Sequence, residues 1–218
     1  MEGHEFYLVV SNVTGRKNLG TFLRTGTAFG VKQVLVVGSD RFGTHGGHNA
    51  HKYVDVTTFH TCADALAYLK TRGCRVLGLQ PSADGSTCVE SSPFEGPTAF
   101  VLGNEGTGLS EDQRRICDGF IHVSHYTPQQ TTPSTVFQLD LTVQLGILLH
   151  GFTKWSGRYQ ERRIEDTSTR GKFELAERKS RVKVDKPDVT MERQKVKESV
   201  DAVMNDDLDL QLWSIDDD

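Results

Sequence analysis

Residues 98–115, TAFVLGNEGTGLSEDQRR, place Gly103, Gly106 and Gly108 directly after an apolar run and just before a polar, helix-opening pattern. Glycine tolerates positive φ and lets a partner approach bare main chain, so a strand ending this way suits a flat or bulky ligand held by N–H and C=O groups. The order G-x-x-G-x-G reverses the dinucleotide fingerprint, and no Gly-Lys-Ser/Thr follows as in a phosphate-binding P-loop. Composition alone also allows a tight strand-to-helix turn that holds nothing. Another candidate is RFGTHGGHNAHKYV (41–54), where His45, His48 and His51 recur every three residues. Glycines interrupt any helix that would align them and no cysteine or carboxylate set stands nearby, so no metal is expected. Arg24 lies inside an amphipathic stretch opened by Asn18; taken alone, they read as a surface arginine and a helix N-cap.

The elements that must position these residues follow from hydrophobic period. FYLVV (6–10), KQVLVVG (32–38), CRVLGLQ (74–80), TAFVLG (98–103) and FIHVSHY (120–126) are short apolar runs suited to buried strands. Helix spacing appears in 18–31 through Leu19, Phe22, Leu23 and Phe29, in 62–73 through Ala65, Leu66 and Leu69, and across the long apolar stretch 137–152. Ser110 and Gln113 have capping-box spacing ahead of a short helix over 110–119. Strands alternating with helices imply an α/β fold: a mainly parallel sheet covered on both faces, with ligands beyond the carboxyl ends of its strands.

Charge density divides the chain. Residues 1–150 carry 24 charged side chains and residues 151–218 carry 30. The expected organisation is one domain over 1–157 and a charged tail over 158–218, partly helical or disordered, since so polar a segment cannot offset its ordering entropy by burial. Its end, NDDLDLQLWSIDDD, alternates acids with apolar residues and suits a docking peptide for a protein partner or a solvated terminus. A net charge of −4 opposes wholesale coating of nucleic acid while leaving room for a local basic patch. Four cysteines without a C-x-x-C pair suggest neither a zinc knuckle nor a disulfide framework. No leader pattern or run of about eighteen apolar residues occurs, so the expectation is a soluble, cytoplasmic protein without membrane contact.

VTGRKNLGTFLRTGTAFGV and FVLGNEGTGLSEDQ together resemble the SpoU (TrmH-like) branch of the SPOUT RNA methyltransferases. The first-motif Asn and Arg are matched by Asn18 and Arg24, and the second motif, G-x-E-x-x-G-L, by Gly103, Glu105, Gly108 and Leu109. A third motif is matched in part by QLDLTVQ (138–144), where Gln138 stands for Ser and Asp140 for Asn. The resemblance implies a deep trefoil knot, a homodimer, and S-adenosylmethionine bound by main-chain groups of three loops. The cofactor residues implied are Leu79 and Gln80, then Leu102, Gly103, Asn104, Gly106 and Gly108, then Ile121, Val123, Gln138, Leu139 and Asp140. It further implies methyl transfer to a ribose 2′-hydroxyl of tRNA or rRNA, with Arg24 at the reacting oxygen and Asn18 and Glu105 in support. Arg16, Lys17, Arg41, His45, His48 and Lys52 then face RNA. The third-motif departures keep open a knotted RNA-binding or ribosome-assembly factor with impaired catalysis, and the glycine loop alone also suits another nucleotide-binding α/β enzyme.

Overall fold

The computed structural model describes residues 4–11, 18–39, 46–81, 85–126 and 138–161. Seven strands and four helices follow in the order β1 (Phe6–Ser11), α1 (Leu19–Ala28), β2 (Gln33–Val37), β3 (Asp55–Phe59), α2 (Cys62–Lys70), β4 (Arg75–Leu79), β5 (Ser86–Cys88), β6 (Thr98–Leu102), α3 (Glu111–Arg115), β7 (Gly119–His122) and α4 (Leu141–Ser156). All pair in parallel in one sheet, ordered β3-β2-β1-β6-β4-β7-β5. The expected threading of the last helix depends on 127–137, and all but the first four residues of the expected tail, 158–218, come after 161; both lie outside the described residues.

Alternation along the strands feeds two cores. Phe6, Leu8 and Val10 of β1 face one side, where Leu19, Phe22 and Leu23 of α1 and Leu145, Leu148, Leu149 and Phe152 of α4 cover them. Tyr7 and Val9 face the other, packed with Ala65 and Leu69 of α2 and Leu109 and Ile116 around α3. Each fully buried Leu or Phe contributes about 1.5–3 kcal/mol, so burial on both faces explains why these strands are continuously apolar.

Two strands escape an apolar-run reading. β3 contains Thr57 and Thr58, both buried, with Thr57 Oγ1 accepting from Gln33 Nε2 at 2.7 Å. β5 is three residues long and polar, at the sheet edge. α3 is only five residues, shorter than its sequence pattern suggested, and α4 begins at Leu141 rather than 137 and runs on to Ser156.

The amino-terminal end of the sheet is closed by aromatic rings. Phe6, Phe94, Phe100 and Phe152 pack edge to face or tilted, with centroids 5.2–6.3 Å apart. Trp155 stacks on His4 at 4.8 Å, while the Tyr159 hydroxyl donates to the His4 carbonyl at 3.3 Å. Burial pushes the Tyr159 phenol up to about 12.

Candidate active site

The register aligns the ends of five strands. Val10 of β1 pairs with Leu102 of β6, Leu102 with Leu79 of β4, Leu79 with Ile121 of β7, and Ile121 with Thr87 of β5. The loops after Leu79, Leu102 and Ile121, taken from three distant parts of the sequence, therefore leave the sheet side by side. Those three side chains and Val123 are buried, so a ligand above them meets main chain rather than side chain.

The glycine loop is a closed structure. Asn104 N donates to the Gly108 carbonyl at 2.8 Å, Gly108 N returns a bond to the Asn104 carbonyl at 2.9 Å, and Gly106 N donates to Asn104 Oδ1 at 3.2 Å. The glycines do different work. A Cβ on Gly103 would stand 2.4 Å from the Gly108 carbonyl carbon and oxygen, so this glycine serves the loop's own closure. Gly108 adopts φ +67, where a side chain is strained. A Cβ on Gly106 meets nothing within 4 Å, so this position leaves open space beside the main chain. The base is fixed from both sides. Gln113 Nε2 donates to the Leu102 carbonyl at 2.9 Å, and Leu109 packs over Gly78, where an added Cβ would lie 2.7 Å from its methyl. Ser110 and Gln113 form the expected capping box.

The start of α4 forms another wall. Asp140 Oδ1 accepts from Thr142 N at 2.7 Å and Val143 N at 3.3 Å, capping the helix. Burial opposes ionisation of Asp140, yet the bonds from Thr142 and Val143 prevail and hold it below the usual aspartate range. His125 Nε2 accepts from Leu139 N at 3.1 Å, and Gln144 Nε2 donates to the Leu139 carbonyl at 2.6 Å. Gln138 and Leu139 are exposed beside this cap.

On the β4 side, Gln80 is buried; its backbone N–H donates to the Ile121 carbonyl and its Oε1 accepts from Arg114 Nη1 at 2.9 Å. His125, Gln144, Gln113 and Arg114 thus brace the site, although sequence reasoning assigned them no place in it. Gln113 had a signal in its capping-box spacing and Gln144 in its position within the third motif. His125 and Arg114 act across loops and had none.

α1 begins beside this cleft, because β1 neighbours β6. Asn18 occupies the N-cap position: its carbonyl accepts from Phe22 N at 2.9 Å, but its side chain makes no capping bond. Arg24 is exposed on the helix. Six residues of helix place the two about 9 Å apart along the axis and about a third of a turn apart around it, so they leave the helix on different faces. His48 is exposed with φ 45, and Lys52 ends a 3-10 turn that packs on α1. Arg16, Lys17, Arg41 and His45 lie outside the described residues. Among the described residues no cluster of His, Cys, Asp and Glu could hold a metal, and no helix is long and apolar enough to cross a membrane.

An all-parallel sheet covered on both faces, with a glycine loop at its carboxyl edge, defines a doubly covered α/β domain. Residues 5–130 match the model of the SpoU rRNA Methylase family, and the chain belongs to that family. It is 29% identical over 154 residues to the 23S rRNA (guanosine-2′-O-)-methyltransferase RlmB of Ralstonia nicotianae, covering 68% of this chain and 58% of that protein. It is 31% identical over 136 residues to an uncharacterised tRNA/rRNA methyltransferase of Mycolicibacterium vanbaalenii, covering 59% of this chain and 42% of that one. The chain thus spans about half the length of these curated relatives. Among solved structures, the fold is shared with the SpoU methyltransferase AviRb of Streptomyces viridochromogenes in complex with AdoMet, at TM-score 0.59 and 16% identity over 71% of this chain and 62% of that one. It is also shared with the A. aeolicus TrmH/SpoU tRNA modifying enzyme, at TM-score 0.57 and 19% identity over 94% and 90% of the two chains.

Proposed function

We propose that this protein is an S-adenosylmethionine-dependent RNA 2′-O-ribose methyltransferase acting on rRNA or tRNA. The observation that carries the reading is the single register row Val10–Leu102–Leu79–Ile121, which gathers three family loops around one cleft and sets the start of α1 beside it. The residues suit the methyl donor: the strand ends offer backbone over buried side chains, and Gly106 leaves room for a purine to lie against the loop. When bound, the donor supplies a methyl group on a positively charged sulfur. Leu79, Leu102 to Gly108 and Ile121 to Val123 hold and orient it with main-chain groups.

The rest falls to this chain's own side chains. A ribose hydroxyl is a weak nucleophile until its proton leaves; as the oxygen–methyl bond forms and the sulfur–methyl bond breaks, that proton passes to solvent water, while Arg24, whose guanidinium stays protonated, stabilises the developing 2′-alkoxide. Holding two substrates in line is the principal contribution, at best about 7–11 kcal/mol. Asp140, though it stands where the family has Asn, keeps the helix-capping work an Asn would do, which favours a working site over an impaired one. His48 and Lys52, with Arg16, Lys17, Arg41 and His45, supply the RNA-facing side in this reading.

A homodimer completes it. Val143 and Ile147, four residues apart, form an exposed apolar stripe on α4, with exposed Leu139 just before its N-cap, and α4 packs against α1. Pairing through this stripe covers it and brings α1 of a second copy, with its exposed Arg24, toward the cleft. The acidic end of the tail serves a protein partner.

The test is transfer from labelled S-adenosylmethionine to rRNA and tRNA, with ribose methylation mapped by mass spectrometry. Arg24→Ala is expected to retain cofactor binding and lose transfer. Undiminished turnover in that variant removes Arg24 from the chemistry, and RNA binding without cofactor binding replaces the enzyme with an assembly factor.

A further inference from the structure

The carboxyl end of β4 carries a side chain whose hydrogen bonding is half used. Gln80 is 6% exposed, and its backbone N–H is spent on the Ile121 carbonyl at 3.1 Å, so it has no main-chain donor left for a ligand. Its Oε1 accepts from Arg114 Nη1 at 2.9 Å. A guanidinium only donates, so this bond fixes which way round the amide lies, with Oε1 against Arg114 and Nε2 turned away. Among the described residues nothing accepts from Nε2, and that nitrogen is not sealed from solvent. An amide donor buried this deeply, held in one orientation and left unpaired, has a bond to offer an acceptor that the fold does not supply.

The brace behind it is itself anchored. Arg114 lies 5.7 Å over the Phe120 ring, and its neighbour Gln113 is buried and donates to the Leu102 carbonyl at 2.9 Å. Through two consecutive residues, α3 ties the end of β6 to the end of β4. The strand ends around Gln80 narrow the chemistry of the missing acceptor. Leu79, Leu102 and Ile121 are buried there, so a carboxylate brought among them loses hydration that one amide N–H does not restore, and a cationic sulfur gains nothing from a donor. A ring nitrogen or a sugar oxygen, neutral and accepting, costs least.

We propose that Gln80 is a specificity-determining residue whose Nε2 donates to a neutral acceptor on the nucleoside half of the bound methyl donor, an assignment that rests on the proposed cofactor. Arg114 is the positioning residue that presets the amide. Recognition at this strand end therefore passes from main chain to one side chain.

The test is calorimetry with S-adenosylmethionine and with 5′-methylthioadenosine, which lacks both the carboxylate and the charged sulfur. Gln80→Glu keeps the bond to Arg114 and puts an acceptor where the free donor was, so affinity for both ligands is expected to fall about tenfold or more. Gln80→Met, of similar length and without the amide, is expected to weaken both as well and serves if the first variant does not fold. Arg114→Met frees the amide to turn. It is expected to cost roughly threefold alone and nothing further on a Gln80→Met background, whereas a merely structural brace costs the same on both. Unchanged affinity for both ligands in Gln80→Glu overturns the proposal while the cofactor stands. A loss confined to S-adenosylmethionine also overturns it, because the acceptor then belongs to the amino-acid half. No binding of either ligand by the wild type refutes the cofactor and the assigned acceptor together. The preset amide is then decided in the free protein: nitrogen relaxation of the Gln80 side chain is expected to be rigid in the wild type and mobile in Arg114→Met, and equal mobility overturns that role too.

Discussion

Replacing Gly103 and Gly106 separately by alanine distinguishes a glycine required by the fold from one that leaves space for a ligand. A methyl on Gly103 would stand 2.4 Å from the carbonyl carbon and oxygen of Gly108 and 2.6 Å from Leu109 N. All three neighbours are backbone, so no side chain can rotate aside and the loop must spread. Overpacking of this kind costs about 1–3 kcal/mol. Spreading also stretches the reciprocal Asn104–Gly108 bonds, each worth about 1 kcal/mol, so the expected loss is about 3 kcal/mol. In a domain of this size that lowers Tm by about 6–12 °C. A methyl on Gly106 meets nothing within 4 Å, and stability is expected to stay within about 0.5 kcal/mol of wild type while cofactor affinity falls. Denaturant melts and calorimetric titration with S-adenosylmethionine read the two effects independently. A Gly103→Ala protein as stable as wild type, or a Gly106→Ala protein as damaged as its neighbour, would refute the division of labour.

Phe152→Ala, which empties a fully buried site ringed by Phe6, Phe94 and Phe100, is expected to cost about 3–5 kcal/mol in urea denaturation. Asp118 accepts from Val76 N and pairs with Lys70; burial opposes its ionisation, but those bonds outweigh it and lower its pKa. Its contribution is therefore present above the ordinary aspartate value of about 4 and lost as pH falls through the lower folded value, so Asp118→Ala should cost roughly 1 kcal/mol at pH 7 and progressively less in acid. Burial pushes the thiols of Cys74 and Cys117 up to about 11 and about 12 respectively, so neither is expected to react with iodoacetamide at neutral pH in the folded protein; mass spectrometry after brief labelling checks this.

Much of this architecture was legible because burial on both faces forces long apolar strands, and β1, β2, β4 and β6 announce themselves as such. β3 did not, because it carries two buried threonines, one of which, Thr57, accepts from Gln33, 24 residues away. β5 is too short and polar for any periodic signal. In the site, the glycines and the motif spacing around Arg24 were readable, and so was the expectation that three loops converge. The His125–Leu139 bond depends on loop closure between residues fourteen apart, which no local pattern encodes.

The stacking of Trp155 and Tyr159 on the underside of the sheet fixes where the backbone leaves the domain. α4 starts at the rim of the cleft and its sixteen residues carry the chain about 24 Å away before those rings pin it down. The described chain thus ends at the pole opposite the carboxyl strand ends that carry the glycine loop.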